Sequence, residues 1–536
     1  MHAQIVLTAD NGTFSDYGGT SALGYVSCMP ARLVPRILMK KIFAPPLVTN
    51  RSGEAFKATY PLRKIEASLH SAGMNDVVVT SPEKLEKVIG PETRVLGISV
   101  HDPYGLSPVS TKLTMIFGGG QSWTARFFDD LSKKISALKK RYNFTVFVGG
   151  PAAWQIAMKR PEWVDVLYNG EAEVDLPLLV KNAVEGNPVP KVVFGRNSPV
   201  EAIPSIIKPT RFGEVQVTRG CPRGCQFCTI TPETFRSIPV SQILEEVRVN
   251  VENGQTSINL LTDDIMLYGG RKLSTNHEAI VNLFTAVKRA GAEQIYFPHV
   301  SSPAALESPK TVMAIGEIAE YDKYRGETPV VGLESGSERI ISKYMNAKPY
   351  PWKPADWKKV ILDSTPILND AGITPCYTMT VGFEDETNED VEKSIDLVEA
   401  MIDSHFRSWI FPLAVIPMTP SHIGGGEFPN IERLPSKYWD LLYTAWKYDL
   451  YISRQMMPIM STKMGNPVSR NIVNLMTDKI FAHIDSIFRK LSETHGMKAH
   501  DYSEINLDNL YGVLRSMFWI GKVSVFGSGS ASSRTV

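Results

Sequence analysis

Short apolar runs alternate with segments of helical period along most of the chain. That rhythm constrains the fold more than any other feature. AQIVLTA (3–9), DVVVTS (76–81), RVLGISV (94–100), FTVFVGG (144–150) and DVLYNG (165–170) read as buried strands. Between them YPLRKIEASLHSAG (60–73), ARFFDDLSKKISALKKRY (125–142) and EVDLPLLVKNAVEG (173–186) have the spacing of amphipathic helices. This order predicts an α/β, Rossmann-like domain over 1–186, with a parallel sheet covered on both faces. Ligands bind beyond the carboxyl ends of such strands. There the chain places ADNGTFSDYGG, HDPYGLSP, GGPAAW and NGEAE. Their glycines either admit a bulky ligand close to backbone or serve tight turns. Four such loops on one edge favour the ligand.

Residues 187–213 are proline-rich with little periodicity and read as a surface linker. A second series then begins: EVQVTR (214–219), SINLLTD (257–263), QIYFPHV (294–300), TPVVGLES (328–335), TPCYTMTVGF (374–383) and SWIFPLAVIP (408–417). Six β/α units over 214–425 predict a partial (β/α)6 barrel, with chemistry at the carboxyl ends of its strands. Residues 426–526 carry helical patterns without strand signals, and 527–536 read as a flexible tail.

Charge excludes some partners. Lysine plus arginine (57) balances aspartate plus glutamate (56), so nothing points to nucleic acid or an anionic membrane. No apolar run reaches the ~18 residues of a membrane span. Five cysteines in 536 residues are no disulfide framework, and a reducing cytoplasm is expected.

Three of those cysteines, Cys221, Cys225 and Cys228, lie in CPRGCQFC, just after the first strand of the second series. An odd set cannot pair off as disulfides. A structural zinc asks for four protein ligands, and no histidine stands near in sequence. Three thiolates on a tight loop suit a 4Fe-4S cluster with one iron left without a cysteine. Zinc and chance spacing are the alternatives. Cys28 and Cys376 sit in apolar runs and read as buried and inert.

The loop resembles the C-x3-C-x-Φ-C signature of the radical S-adenosylmethionine (SAM) superfamily, with Phe227 at the aromatic position. The resemblance implies that SAM chelates the open iron and is cleaved to a radical that abstracts hydrogen from an unactivated carbon. Thr262 and Asp263 in LLTDD are similar to the second-strand segment that contacts the methionyl amino group, although the usual Gly-Gly-Glu is missing. GLESGSERI is similar to the fourth-strand motif, which implies Glu334 and Ser335 at the cofactor ribose and Arg339 at its carboxylate. The plain alternative is a helix start with a Glu338–Arg339 surface pair. Tyr377, on the fifth strand, is a candidate polar contact in the catalytic cavity or a core tyrosine.

The first domain resembles the cobalamin-binding domain of B12-dependent radical enzymes. The resemblance implies that Asp102, Tyr104, Gly149, Gly150, Pro151, Gly170 and Glu171 surround the corrin and its tail, with Thr13 and Ser15 in the first loop. The D-x-H-x-x-G motif is absent and His101 lacks its spacing, so the lower cobalt ligand is left open. A degenerate domain that no longer binds B12 is the bland reading. Methylthiotransferases fit less well, because their first domain carries three further cysteines.

The implied reaction is methyl transfer to an unactivated sp3 carbon through a 5′-deoxyadenosyl radical and methylcobalamin. The opening segment and length resemble an archaeal subgroup that includes the enzyme methylating a glutamine Cα in methyl-coenzyme M reductase of methanogens. That likeness implies the reductase alpha subunit as protein substrate, and ferredoxin or flavodoxin as electron donor. The other readings are a B12-dependent radical enzyme that rearranges or cyclises a small molecule, and a non-catalytic sensor.

Overall fold

The structure is a computed structural model that describes residues 2–17, 24–230, 233–322, 326–425, 434–461, 481–482 and 484–496. The expected tail, 527–536, and most of the expected helical region after 461 lie outside the described residues. Among the described residues no helix is long and apolar enough to cross a membrane.

The first series folds as read. β1 (Ile5–Ala9), β2 (Val77–Val79), β3 (Val95–Ser99), β4 (Thr145–Gly149), β5 (Val166–Asn169) and β6 (Val192–Phe194) form one parallel sheet in the order β2-β1-β3-β4-β5-β6. Continuous apolar runs suit it because helices cover both faces. Leu131, Ile135 and Leu138 of helix Trp123–Lys139 fill one side. Leu62 and Leu69 of helix Tyr60–Ser71 and Val180 of helix Leu176–Val184 fill the other. The order reverses between β1 and β3, and in open sheets the ligand crevice lies at that switch point.

The stretch read as a linker, 187–213, needs correction. Its β6 pairs with β5 and completes the sheet, with Leu167 opposite Val192 and Asn169 opposite Phe194. Three residues between prolines, two of them exposed, give no apolar alternation to read. Beyond β6, Ile203 and Ile206 are buried, and Arg63 Nε donates to Pro209 O at 3.1 Å.

The second series contains β7 (Glu214–Gln216), β8 (Thr218–Arg219), β9 (Arg236–Ser237), β10 (Ser257–Leu261), β11 (Gln294–Tyr296), β12 (Val330–Glu334), β13 (Cys376–Val381) and β14 (Trp409–Ala414). β7, β10 and β11 pair in parallel, as do β12, β13 and β14. A parallel bridge from His299 to Val330 joins the two halves. The result is a six-stranded partial barrel in chain order.

Its strands show which face is which. On β13, Tyr377 and Met379 are fully buried while Cys376 and Thr378 are half-buried. On β14, Ile410 is buried while Trp409, Phe411 and Leu413 are half-buried. The buried set meets the helix layer: Tyr377 Oη lies 2.8 Å from Thr365 Oγ1 on helix Trp357–Asp370. Alternation therefore turns the half-buried set into the lumen. Cys376 thus lines the lumen and is not the fully buried thiol expected from its apolar run.

The open edge of β14 is closed by other parts of the chain. Ile410 N donates to Asp449 Oδ1 at 2.8 Å, from helix Tyr438–Ser461. Pro412 has no amide hydrogen to leave unpaired there. Helix Pro108–Ile116 of the first domain lies against the same strand. Leu33, Val34, Met39, Ile116, Trp123 and Phe127 of the first domain share one core with the barrel. In the carboxyl-terminal region Tyr438, Trp439 and Tyr448 are buried, and Trp446 stacks on Phe488 with ring centroids 4.9 Å apart.

Candidate functional site

The cysteine loop hangs between β8 and β9, which pair antiparallel with Arg219 opposite Arg236. Gly220 enters it at φ 80°, and a Cβ there would stand 2.7 Å from Glu233 O and 2.8 Å from Thr234 O. Only glycine lets the two ends of the loop close this tightly. Cys225 is buried, and Cys221 and Cys228 are half-buried. Burial pushes all three thiols up, Cys221 to about 11. Each also feels the charge of another of the three, so they share one small volume.

Among the described residues no three His, Cys, Asp or Glu side chains converge as they would on a metal ion. In a cubane each of the three thiolates would take its own iron. Bound metal would convert these raised thiols to thiolates.

The loop is anchored on all sides. Arg223 Nη2 lies 3.2 Å from Asp264 Oδ2 and donates to Ser301 Oγ at 2.7 Å, while its Nη1 donates to Lys348 O at 2.8 Å. Gln226 N donates to Tyr344 O at 2.9 Å, and Ile423 N donates to Gln226 O at 3.3 Å. Phe227 packs edge-on against Phe383, with centroids 5.9 Å apart.

At the base of the loop the two domains interlock. Glu171 Oε2 accepts from Arg219 Nη1 at 2.6 Å and from Ser198 N at 2.8 Å. Glu171 Oε1 pairs with Arg236, and Glu173 Oε1 lies 2.8 Å from Arg219 Nη2. The β5 loop of the first domain therefore grips both arginines that flank the cysteines.

The residues expected at SAM divide into two groups. Asp263 is half-buried at the lumen rim, and burial, Glu233 and Asp264 push its carboxyl up to about 7. Thr262 Oγ1 lies 2.6 Å from Thr218 Oγ1, beside the loop. Glu334 is buried at φ 64°, with Oε1 2.5 Å from Lys348 Nζ and Oε2 2.5 Å from Thr380 Oγ1. Ser335 is buried, and its Oγ accepts from Ser337 N at 3.1 Å. Arg339 is 44% exposed and bound to Asp385 at 2.6 Å and Asp390 at 2.5 Å. Its guanidinium is spent on the loop after β13, and its carboxylate partners are neither a cofactor nor Glu338. Tyr377 needs correction as well. It faces the helix layer, and its hydroxyl is held by Thr365 and Ser302, so it is a core tyrosine.

The residues expected around the corrin mostly bind other parts of the protein. Asp102 accepts from Ser107 N at 3.0 Å, Ser110 Oγ at 2.5 Å, Thr124 Oγ1 at 3.1 Å and Gln155 Nε2 at 2.8 Å. Tyr104 N donates to Gln155 Oε1 at 2.8 Å, and its hydroxyl donates to Lys159 O. Thr13 Oγ1 donates to Asp10 Oδ2 at 2.8 Å, and Ser15 Oγ to Pro45 O at 2.6 Å. Their carbonyls both accept from Arg211 Nη1 at 2.7 Å. A Cβ on Gly150 would strike Val100 O at 2.6 Å, and one on Gly170 would strike Gly195 O at 2.7 Å. Those glycines are demanded by packing between neighbouring strand ends. Gly149 closes β4, and Pro151 is exposed beside it.

The crevice offers a different residue. His101, at the end of β3, keeps accessible surface although the protein around it is dense. Burial pushes its imidazole down, toward the neutral form, with Asp102, Arg211 and Asp10 nearby. Sequence spacing passed it over, and its position at a strand end beside the switch point was the available signal. Arg223, Asp264, Lys348 and Glu173 were also missed. Their roles depend on partners distant in sequence.

Residues 215–398 match the radical SAM superfamily. Curated relatives include tRNA-2-methylthio-N(6)-dimethylallyladenosine synthase of Syntrophomonas wolfei, 29% identical over 51% of this chain and 60% of its own length. The same enzyme of Corynebacterium glutamicum is 25% identical over 59% of this chain and 60% of its length. The chain thus spans 60% of the length of these relatives. Among solved structures, the radical SAM methyltransferase TsrM of Kitasatospora setae, with cobalamin and a 4Fe-4S cluster bound, superposes with a TM-score of 0.51. The identity is 12%, over 79% of this chain and 74% of that one. A second TsrM structure, with tryptophan and a SAM analogue, gives 0.50. At that identity the likeness establishes the fold: a parallel-sheet domain ahead of a radical SAM barrel. The barrel, over residues 215–398, thus matches the radical SAM superfamily.

Proposed function

We propose that the chain is a cobalamin-dependent radical SAM C-methyltransferase acting on an unactivated sp3 carbon. Its substrate in this reading is the Cα of a glutamine in the alpha subunit of methyl-coenzyme M reductase, in the cytoplasm, with ferredoxin or flavodoxin as electron donor. One observation carries the class: a loop of three cysteines, one ligand short, is tied by Arg219 and Arg236 to Glu171 and Glu173, beyond the carboxyl end of β5 in the Rossmann-like sheet.

When bound, the cluster with SAM supplies hydrogen abstraction and the corrin supplies a one-carbon donor. The chain's own residues position and enclose. Cys221, Cys225 and Cys228 would hold three irons, and Arg223 fixes the loop that carries them. His101 and the β1 and β3 loops stand at the switch point, where the corrin would be held. The lumen-facing side chains of β13 and β14 form a dry wall around the reacting carbon, where proximity does most of the work.

The methylthiotransferase relatives support a different reaction for the barrel. Among the described residues, however, Cys28 is the one cysteine of the first domain. The charge balance also offers no surplus for tRNA.

The test is anaerobic reconstitution with cobalamin, methyl-labelled SAM and a glutamine-containing peptide of the reductase, read by mass spectrometry. The expected result is a peptide carrying the labelled methyl group. Formation of 5′-deoxyadenosine without methylated peptide would defeat the substrate. Product that is altered but unlabelled would move the class to rearrangement or cyclisation.

A further inference from the structure

Helix Pro108–Ile116 crosses from the first domain to the edge of β14. Its Lys112 is 3% exposed, yet the ammonium makes no hydrogen bond or ion pair with any described residue. Instead Nζ stands 3.4 Å from the centroid of the Phe411 ring. Phe411 faces the lumen and meets the Tyr25 ring at a centroid distance of 5.9 Å. Tyr25 is 46% exposed, so open space adjoins this corner.

A buried ammonium without a directly bonded counter-ion is costly, and one aromatic face offsets only part of that cost. The opposite charge within reach is Asp449, on the carboxyl-terminal helix, which makes no hydrogen bond or ion pair with Lys112 and accepts from Ile410 N through Oδ1. Cys376 of β13 also faces Lys112, but burial and Asp449 push its thiol up to about 12 and keep it neutral. Desolvation pulls Lys112 down to about 7 and pushes Asp449 up to about 8, as befits charges that lack full compensation. The other interior cations described above, on Arg211, Arg219, Arg223 and Lys348, all have oxygen partners.

We propose that Lys112 is a substrate-anchoring residue: it pairs with a carboxylate or phosphate group of the substrate, whose adjoining apolar part lies against Phe411 and Tyr25. This rests on the lumen being the substrate chamber of the methyltransferase proposed above. Phe411 lies three residues before the end of β14 at Ala414. At ~3.3 Å per residue the anchor sits ~10 Å below the strand tips. The reacting carbon therefore lies at the rim, at a distance from the anionic group.

Competitive acetylation of the full-length protein with acetic anhydride, read by peptide mass spectrometry, tests this with benzoate, phenyl phosphate and benzamide as probes. Lys112 should acetylate in the folded protein, and several-fold more slowly with an anionic probe. Benzamide should give no protection. Protection by benzoate alone assigns a carboxylate, by phenyl phosphate alone a phosphate, and by both the shared oxyanion chemistry. A Lys112 that never acetylates while folded, or that benzamide protects as well as the anions do, overturns the proposal. So does the absence of protection by either anion. In equilibrium titrations the better anion should bind Lys112→Met about tenfold or more weakly than wild type, and Lys112→Arg close to wild type. None of these readouts needs cluster, SAM or methyl transfer. Failure of the anchor therefore leaves the reaction class standing, and failure of the reaction class leaves the anchor measurable.

Discussion

Cys225→Ala should strip the iron from the anaerobically reconstituted protein and abolish reductive cleavage of SAM. Cys225 is the buried middle member of the trio, and losing it leaves two thiolates for a cluster that needs three. No other cysteine can replace it, because Cys28 lies in the first domain and Cys376 near the start of β13, away from the loop at the other end of the barrel. Iron analysis and 5′-deoxyadenosine quantitation check this together, with Cys376→Ala as the control that keeps its iron. An iron content equal to wild type in Cys225→Ala would remove the cluster from this loop.

Glu171→Ala should destabilise the protein by about 3–5 kcal/mol, the usual cost of removing one partner from a buried ion pair. The substitution leaves Arg219 and Arg236 with less compensation in a desolvated site and frees Ser198 N. Those arginines are the two ends of the cysteine loop, so the loss should also reach the cluster. Iron content should fall although all three cysteines remain. Thermal unfolding and iron analysis measure the two effects separately. A variant as stable as wild type that binds less cobalamin would return Glu171 to the corrin. A variant that is less stable and loses iron supports the clamp.

Cys225 and Glu171 differ in how far their roles are legible in the amino-acid sequence. The cysteine loop is legible because its ligands sit within eight residues of one another. The parallel strands are legible because both faces are buried, which makes each an unbroken apolar run such as Ile5–Ala9. β6 escapes because its short, largely exposed run sits among prolines. Tyr377 is misplaced because its role depends on strand parity: one step either way, at Cys376 or Thr378, the side chain faces the lumen. Asp102, Tyr104 and Glu171 do stand at strand ends as expected. Several of their partners, among them Gln155, Arg219 and Arg236, lie 48 to 65 residues away and leave no local trace. Lys112 belongs to the same group, since Phe411 meets it only after two domains have docked.

The central claim is that the open position of a three-thiolate cluster receives SAM. Electron paramagnetic resonance of the reduced, reconstituted protein tests it most directly, with and without SAM. The account predicts a 4Fe-4S signal whose g values shift when SAM is added, followed by its cleavage to 5′-deoxyadenosine. A cluster signal that SAM leaves unchanged, with the SAM recovered intact, would contradict it.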